Sequence, residues 1–167
     1  FLGVIVGALV TAIFQSSSVT TGMVLGLSIA NLINLNTALP IILGCNIGTC
    51  VTAIIASIGT SIVAKRAAMA HLIFNTAGAL IFFPFLGPFQ ALVSLTSSDT
   101  TRAIANAHTL FNIINTLIFI PLIPIFAKLL TRFIKGKEEE EVEYLPKYLE
   151  KHLLATPPIA IEASIKE

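Results

Sequence analysis

The chain has 167 residues, 55% of them hydrophobic and only 11% charged, with a formal net charge of +1 and a mean hydropathy of +0.90. Soluble globular domains carry about 25% charged residues, so this composition excludes that class and points to an integral membrane protein. The near-zero net charge hides a segregation. Phe1 to Ile134 holds only Lys65, Arg66, Asp99, Arg102, Lys128 and Arg132, whereas residues 135–167 hold the other five lysines and eight of the nine acids.

The first residues lack an initiator Met and the basic n-region of a signal peptide, so the chain reads as a segment that starts inside a longer protein. No charge occurs before Lys65, yet Gln15-Ser16-Ser17-Ser18 interrupts the apolar run between Phe1–Phe14 and Val19–Leu32. At about 1.5 Å per residue each apolar arm reaches roughly 21 Å, short of the roughly 30 Å hydrocarbon core. The economical reading over residues 1–33 is a re-entrant helical hairpin with the polar segment at its tip. Asn31, Asn34 and Asn36 mark its return to the interface.

From Thr37 to Ser61 runs a stretch of one membrane thickness with Gly44-Cys45-Asn46-Ile47-Gly48-Thr49 in its middle. Glycines on both sides of an Asn favour an unwound centre, so 37–61 is expected to be a discontinuous spanning helix. A close-packing glycine segment is the alternative. Cys45 and Cys50 suit neither a zinc pair nor a disulfide at this spacing and read as small buried apolar side chains.

Two further transmembrane helices are expected at 66–86 and 103–130, the first ending at Pro84 and Gly87-Pro88 and the second bent by Pro121 and Pro124. Phe89 to Ser98 reads as a short interfacial segment between them, with one amphipathic helix as the form it can take. Lys65/Arg66 and Lys128 to Lys137 flank these two spans and belong on one side, which the positive-inside bias makes the cytoplasm. Asp99 and Arg102 then lie outside, and the hairpin enters from the external face. Residues 135–167 are expected to form a cytoplasmic linker, the acidic run Glu138 to Glu141, a short helix at Tyr144 to Leu154 and a new helix after Thr156-Pro157-Pro158.

Three motifs now stand together: Gln15-Ser16-Ser17-Ser18, Gly44 to Thr49 with Val51-Thr52, and Ala105-Asn106-Ala107-His108 with Asn112. Over Phe1 to about Phe133 they resemble the sodium-dependent phosphate cotransporter family, the type II Na/Pi symporters and their bacterial relatives. Members of that family carry two QSSS-bearing repeats in inverted topology, each followed by a G-x-N-I-G-T segment. The resemblance implies that this chain is the second repeat and that its tail leads into a PhoU-like helical domain. The implied fold is all-α, half of an inverted-repeat transporter. The implied activity is sodium-coupled import of inorganic phosphate by alternating access at the plasma membrane, with Na⁺ as coupling ion and no organic cofactor.

By the same resemblance, phosphate is bound by Gln15, Ser16, Ser17, Ser18, Thr20 and Thr21, and Na⁺ by Ser16, Asn46, Thr49 and Thr52. The carry-over is physically sensible. Half-helix N-termini offer N–H donors to an oxyanion, and hydroxyls are hard ligands for Na⁺. One departure stands out: Cys45 and Cys50 occupy positions where the family more often has hydroxyl or small residues. His71, Asn75, His108, Asn112 and Asn115 form two polar stripes, read either as interhelical hydrogen bonding or, for His108 and Asn112, as cavity or gate residues.

No acid-base pair, metal cluster or activated nucleophile occurs in the membrane region, so an intramembrane enzyme is not expected. The competing readings are a non-transporting scaffold or channel subunit, and a symporter for another anion or coupled to H⁺. A channel calls for a continuous polar lining, whereas polarity here is confined to short breaks. The expected partners are phosphate, membrane lipid, and either a first repeat or a second copy of this chain, with no nucleic acid among them.

Overall fold

The computed structural model describes residues 1–136 and 156–166, so the acidic run and the helix expected at Tyr144 to Leu154 lie outside the described residues. Eight helices occur among them: α1 (Leu2–Phe14), α2 (Ser17–Ile29), α3 (Leu35–Ser57), α4 (Ile62–Phe82), α5 (Leu86–Ser94), α6 (Thr100–Phe119), α7 (Ile123–Phe133) and α8 (Pro157–Lys166). Three stretches are long and apolar enough to cross a membrane: α3, α4 continued through α5, and α6 continued through α7. All regular structure among the described residues is therefore helical, which fits a membrane protein.

Local chemistry sets the helix boundaries. Ser16, Asn34, Ser61 and Asp99 each stand at an N-cap and accept a hydrogen bond from the amide three residues on, satisfying one of the orphan donors of a first turn. Pro84 and Pro121 each sit in a three-residue 3-10 turn, Phe83–Phe85 and Ile120–Leu122, where a ring without an N–H interrupts the α ladder. The stretch expected to be interfacial is helical as far as Ser94, as part of α5, which buries Phe89 and Val93 in one core cluster with Ala103, Ala107 and Phe111 of α6.

The discontinuous helix expected over 37–61 is not found: α3 is helical without interruption from Leu35 to Ser57 and contains Gly44 to Thr49 whole. The glycines serve close approach instead. A Cβ at Gly7 would strike the Ile41 carbonyl, one at Gly44 the Val4 carbonyl, and one at Gly48 the Ala8 carbonyl. Gly3, Gly7, Gly44 and Gly48 thus let two backbones touch, the way small residues four apart drive helix pairing in membranes.

These contacts fix the register. Gly3 meets Pro40 and Ile41, while Gly48 meets Ala8, Thr11 and Ala12, so α1 runs parallel to α3 with an offset of about 37 residues. Helix α2 then returns antiparallel to α6: Ser28 bonds Thr101 at 3.1 Å, and Val24 packs with Ile104. Leu39 and Leu43 share the main core with Ala103, Ala107 and Phe111, joining α3 to α6. The α1–α2 turn therefore stands level with Thr52, about 9 Å beyond the middle of α3.

Candidate functional site

The turn between α1 and α2 is two residues long. Gln15 ends α1 in the left-handed region at φ 52°, and Ser16 begins α2 in extended conformation at φ −149°. An L-residue other than Gly or Asn pays about 1–2 kcal/mol for the left-handed well, so Gln15 is held there by the turn rather than by preference. The reversal leaves Gln15 and Ser18 exposed and Ser16 and Ser17 half-buried. Ser16 Oγ accepts from Val19 N at 3.3 Å, and Thr20 Oγ1 donates to the Ser16 carbonyl at 3.3 Å.

Below the tip the two arms are pinned. Thr11 Oγ1 donates to Thr20 Oγ1 at 2.9 Å, and both side chains are buried. Thr11 is a residue that sequence reasoning passed over, although it is the one polar side chain within Phe1 to Phe14. Thr21 Oγ1 is buried and has no hydrogen-bond partner. A buried hydroxyl without a partner costs about 1–3 kcal/mol, and such a group calls for an explanation.

Helical periodicity shows what faces what. Along α2 the stripe Ser28, Val24 that meets α6 continues through Thr21 to Ser17. Along α6 the stripe Thr101, Ile104 that meets α2 continues through His108 to Asn112. The antiparallel register thus brings His108 level with Thr21 and Asn112 level with Ser17. Both α6 side chains are half-buried, and Asn112 Nδ2 donates to the His108 carbonyl at 2.8 Å.

The residues of α3 divide. Thr52 lies one turn beyond Gly48 on the stripe that faces α1, level with the tip, and it is exposed. Thr49 is half-buried and its hydroxyl donates to the Cys45 carbonyl at 2.9 Å. Asn46 belongs to another face: its amide donates to the Ile42 carbonyl at 3.0 Å, and Cys50, on the same stripe, donates to the His71 carbonyl of α4 at 3.4 Å. Since α3 is unbroken, no carbonyls are freed at Gly44 to Thr49, and the ligand set expected from an unwound segment loses that support. Side-chain hydroxyls remain.

Of the other polar residues, Asn115 donates to the Phe74 carbonyl of α4 at 3.4 Å, an interhelical bond, while Asn75 bonds the His71 carbonyl of its own helix at 3.0 Å. At the other end of the hairpin, a polar crevice of about 260 Å³ opens between the α2–α3 turn and the start of α6, lined by Ser28, Asn31, Asn34, Thr37 and Thr100. It lies where the mouth of the hairpin was expected.

The sequence model of the Na+/Pi-cotransporter family matches residues 1–116, which contain the hairpin, α3, α4, α5 and most of α6. The chain belongs to that family. Its members are transporters rather than enzymes. Among curated proteins it is 38% identical over 95 residues to "Uncharacterized protein YqeW" of Bacillus subtilis, covering 57% of this chain and 31% of that protein. It is 40% identical over 87 residues to "Sodium-dependent phosphate transport protein 2C" of Rattus norvegicus, covering 50% and 14%. Across 166 residues it is 26% identical to "Putative inorganic phosphate export protein YjbB" of Salmonella typhimurium, covering 99% and 31%. The chain therefore spans under a third of the length of these relatives. No solved structure matches it.

Proposed function

We propose that this chain is one repeat of a sodium-coupled inorganic phosphate transporter of the plasma membrane, with the α1–α2 hairpin tip as its half of the anion site. The observation that carries the reading is the pairing of a polar Gln15–Ser18 tip, with Gln15 and Ser18 exposed, at a helix N-terminus with the unpartnered buried hydroxyl of Thr21. Amides of the first turn of α2 and the hydroxyls of Ser16, Ser17 and Ser18 suit an oxyanion, to which Gln15 adds a side-chain amide. Ser17 and Thr21 lie on the stripe that meets α6. His108 and Asn112 accordingly flank the site on that side.

Na⁺ takes oxygen ligands from Ser16, Thr49 and Thr52, with Asn46 acting from the α4 side of the same helix. The hairpin is re-entrant, because α1 and α2, at 13 residues each, reach only about 20 Å. The second half of the site comes from an inverted first repeat or a second copy of this chain, and substrate passes by alternating access between two such tips. The residues from Lys135 onward are cytoplasmic.

Flux direction separates two versions of the reading. Import follows from an inward Na⁺ gradient, while the name of the Salmonella relative favours export. ³²P-phosphate flux into and out of liposomes holding this chain within its full-length gene product, with the Na⁺ gradient inward, outward or absent, tests both. Flux that ignores the gradient overturns sodium coupling. Sulfate flux equal to that of phosphate overturns the substrate.

A further inference from the structure

The loop between α3 and α4 carries a feature unrelated to the hairpin tip. A groove of about 450 Å³ lies where the end of α3, the start of α4 and the end of α7 meet; its walls include Ile54, Ile58, Ala68, Met69 and Ile134, and Lys65 stands in its lining. Ile58 is 73% exposed and Met69 37% exposed, so this surface is apolar and open. Helix α3 spans about 34 Å, which puts residues 58–61 at the membrane–water boundary.

The cations around this groove have different tasks. Arg66 Nε donates to the Ile134 carbonyl at 3.1 Å, fixing the end of α7 as a wall. Lys65 is exposed, sits in the first turn of α4 at the positive end of its dipole, and lines the groove directly. Lys128, Arg132 and Lys135 add positive charge along α7 and just beyond it. Within residues 1–136 the one acid is Asp99, which caps the start of α6 and so lies at the opposite ends of α4 and α6.

We infer that this groove binds an anionic phospholipid, with its phosphate on Lys65 and one acyl chain along Ile54, Ile58, Met69 and Ile134. Charge complementarity and depth select this occupant. A cation at the interface above an apolar slot matches a headgroup over a chain, and basic pockets between spanning helices on one side of a membrane hold acidic lipid headgroups. A free phosphate would use the cation and leave the slot empty. A zwitterionic lipid brings the same phosphate, but its ammonium faces the cations of Lys65 and α7, with no acid of residues 1–136 beside them, and cancels much of that gain.

The test is native mass spectrometry of the full-length gene product in detergent, titrated with phosphatidylglycerol or phosphatidylcholine. Wild type should retain phosphatidylglycerol at least fivefold more than phosphatidylcholine. Lys65→Gln should bring the two to parity, Lys128→Gln, which changes a lysine outside the lining, should keep most of the preference, and Ala68→Leu should reduce retention of both lipids. Circular dichroism matching wild type accompanies each variant, and Met69→Ser replaces Ala68→Leu if the latter does not fold. Equal losses in Lys65→Gln and Lys128→Gln would mean a diffuse basic surface and overturn the site. Displacement of phosphatidylglycerol by 10 mM inorganic phosphate would overturn the lipid assignment. So would binding that appears only after Glu138 to Glu141 are changed to Gln, since the tail would then be the occupant.

Discussion

The contact between α1 and α3 gives four glycines opposite signs. In a helix interior, Gly→Ala is worth about 0.5–1 kcal/mol of stabilisation, because alanine loses less backbone entropy. Gly22 and Gly26 of α2 have nothing within 4 Å of an added Cβ, so each should show that gain when changed to Ala. At Gly44 an added Cβ would lie 2.8 Å from Ala8 N, and at Gly48 3.0 Å from Ala12 N, with the Val4 and Ala8 carbonyls closer still. These are backbone atoms of α1 and cannot rotate away. The hairpin must shift, and overpacking of this kind costs about 1–3 kcal/mol. Subtracting the propensity gain leaves Gly44→Ala and Gly48→Ala destabilised by up to about 2.5 kcal/mol, a contrast with the α2 pair of about 2 kcal/mol, the overpacking cost itself. Thermal or denaturant unfolding in detergent, followed by circular dichroism, reads the difference. The Gly48 variant should also weaken phosphate binding, because the tip is carried on α1. Equal shifts of one sign at Gly22 and Gly48 would refute the close approach, and the register built on it.

Four further outcomes follow, three from the site and one from the topology. Thr21→Val removes a buried hydroxyl that has no partner, so stability should hold or rise by about 1 kcal/mol while phosphate affinity falls at least tenfold; binding at wild-type strength, read by isothermal titration calorimetry, would detach Thr21 from the site. Gln15→Gly relieves the left-handed strain and should raise the melting temperature while Gln15→Ala does not, and both should lose phosphate flux. Thr52→Val should shift the Na⁺ activation curve more than Asn46→Ala, since only Thr52 lies on the tip-facing stripe; the reverse order would place the cation on the α4 side. A cysteine at Ser98 should react with an impermeant maleimide in intact cells and one at Gly136 only after permeabilisation, and the opposite pattern would invert the topology.

The sequence by itself determined the class of protein and the location of its polar tip. Hydropathy and the absence of charge before Lys65 leave only lipid-embedded helices, because a backbone in hydrocarbon must satisfy its own hydrogen bonds. A polar break at Gln15 to Ser18 was legible for the same reason, as four polar side chains cannot occupy all faces of a lipid-exposed helix, whereas the structure confines the turn to Gln15 and Ser16 and makes Ser17 and Ser18 the first residues of α2. The helix starts after Ser16, Asn34, Ser61 and Asp99 are set by side chains that accept from amides three residues away, a local matter, yet hydropathy alone put the starts of α3, α4 and α6 at 37, 66 and 103, where the structure has Leu35, Ile62 and Thr100. What glycine does in α3 was not local. Gly44 and Gly48 permit either an unwound centre or a close neighbour, and only the presence of Gly3 and Gly7 on α1 opposite them selects a continuous helix. That choice turns on packing energy between segments some 37 residues apart, which no window of sequence contains. The same holds for Thr21: its missing partner and its level with His108 are properties of α2 against α6. Tertiary contact alone decides which of several polar side chains on a helix face one another.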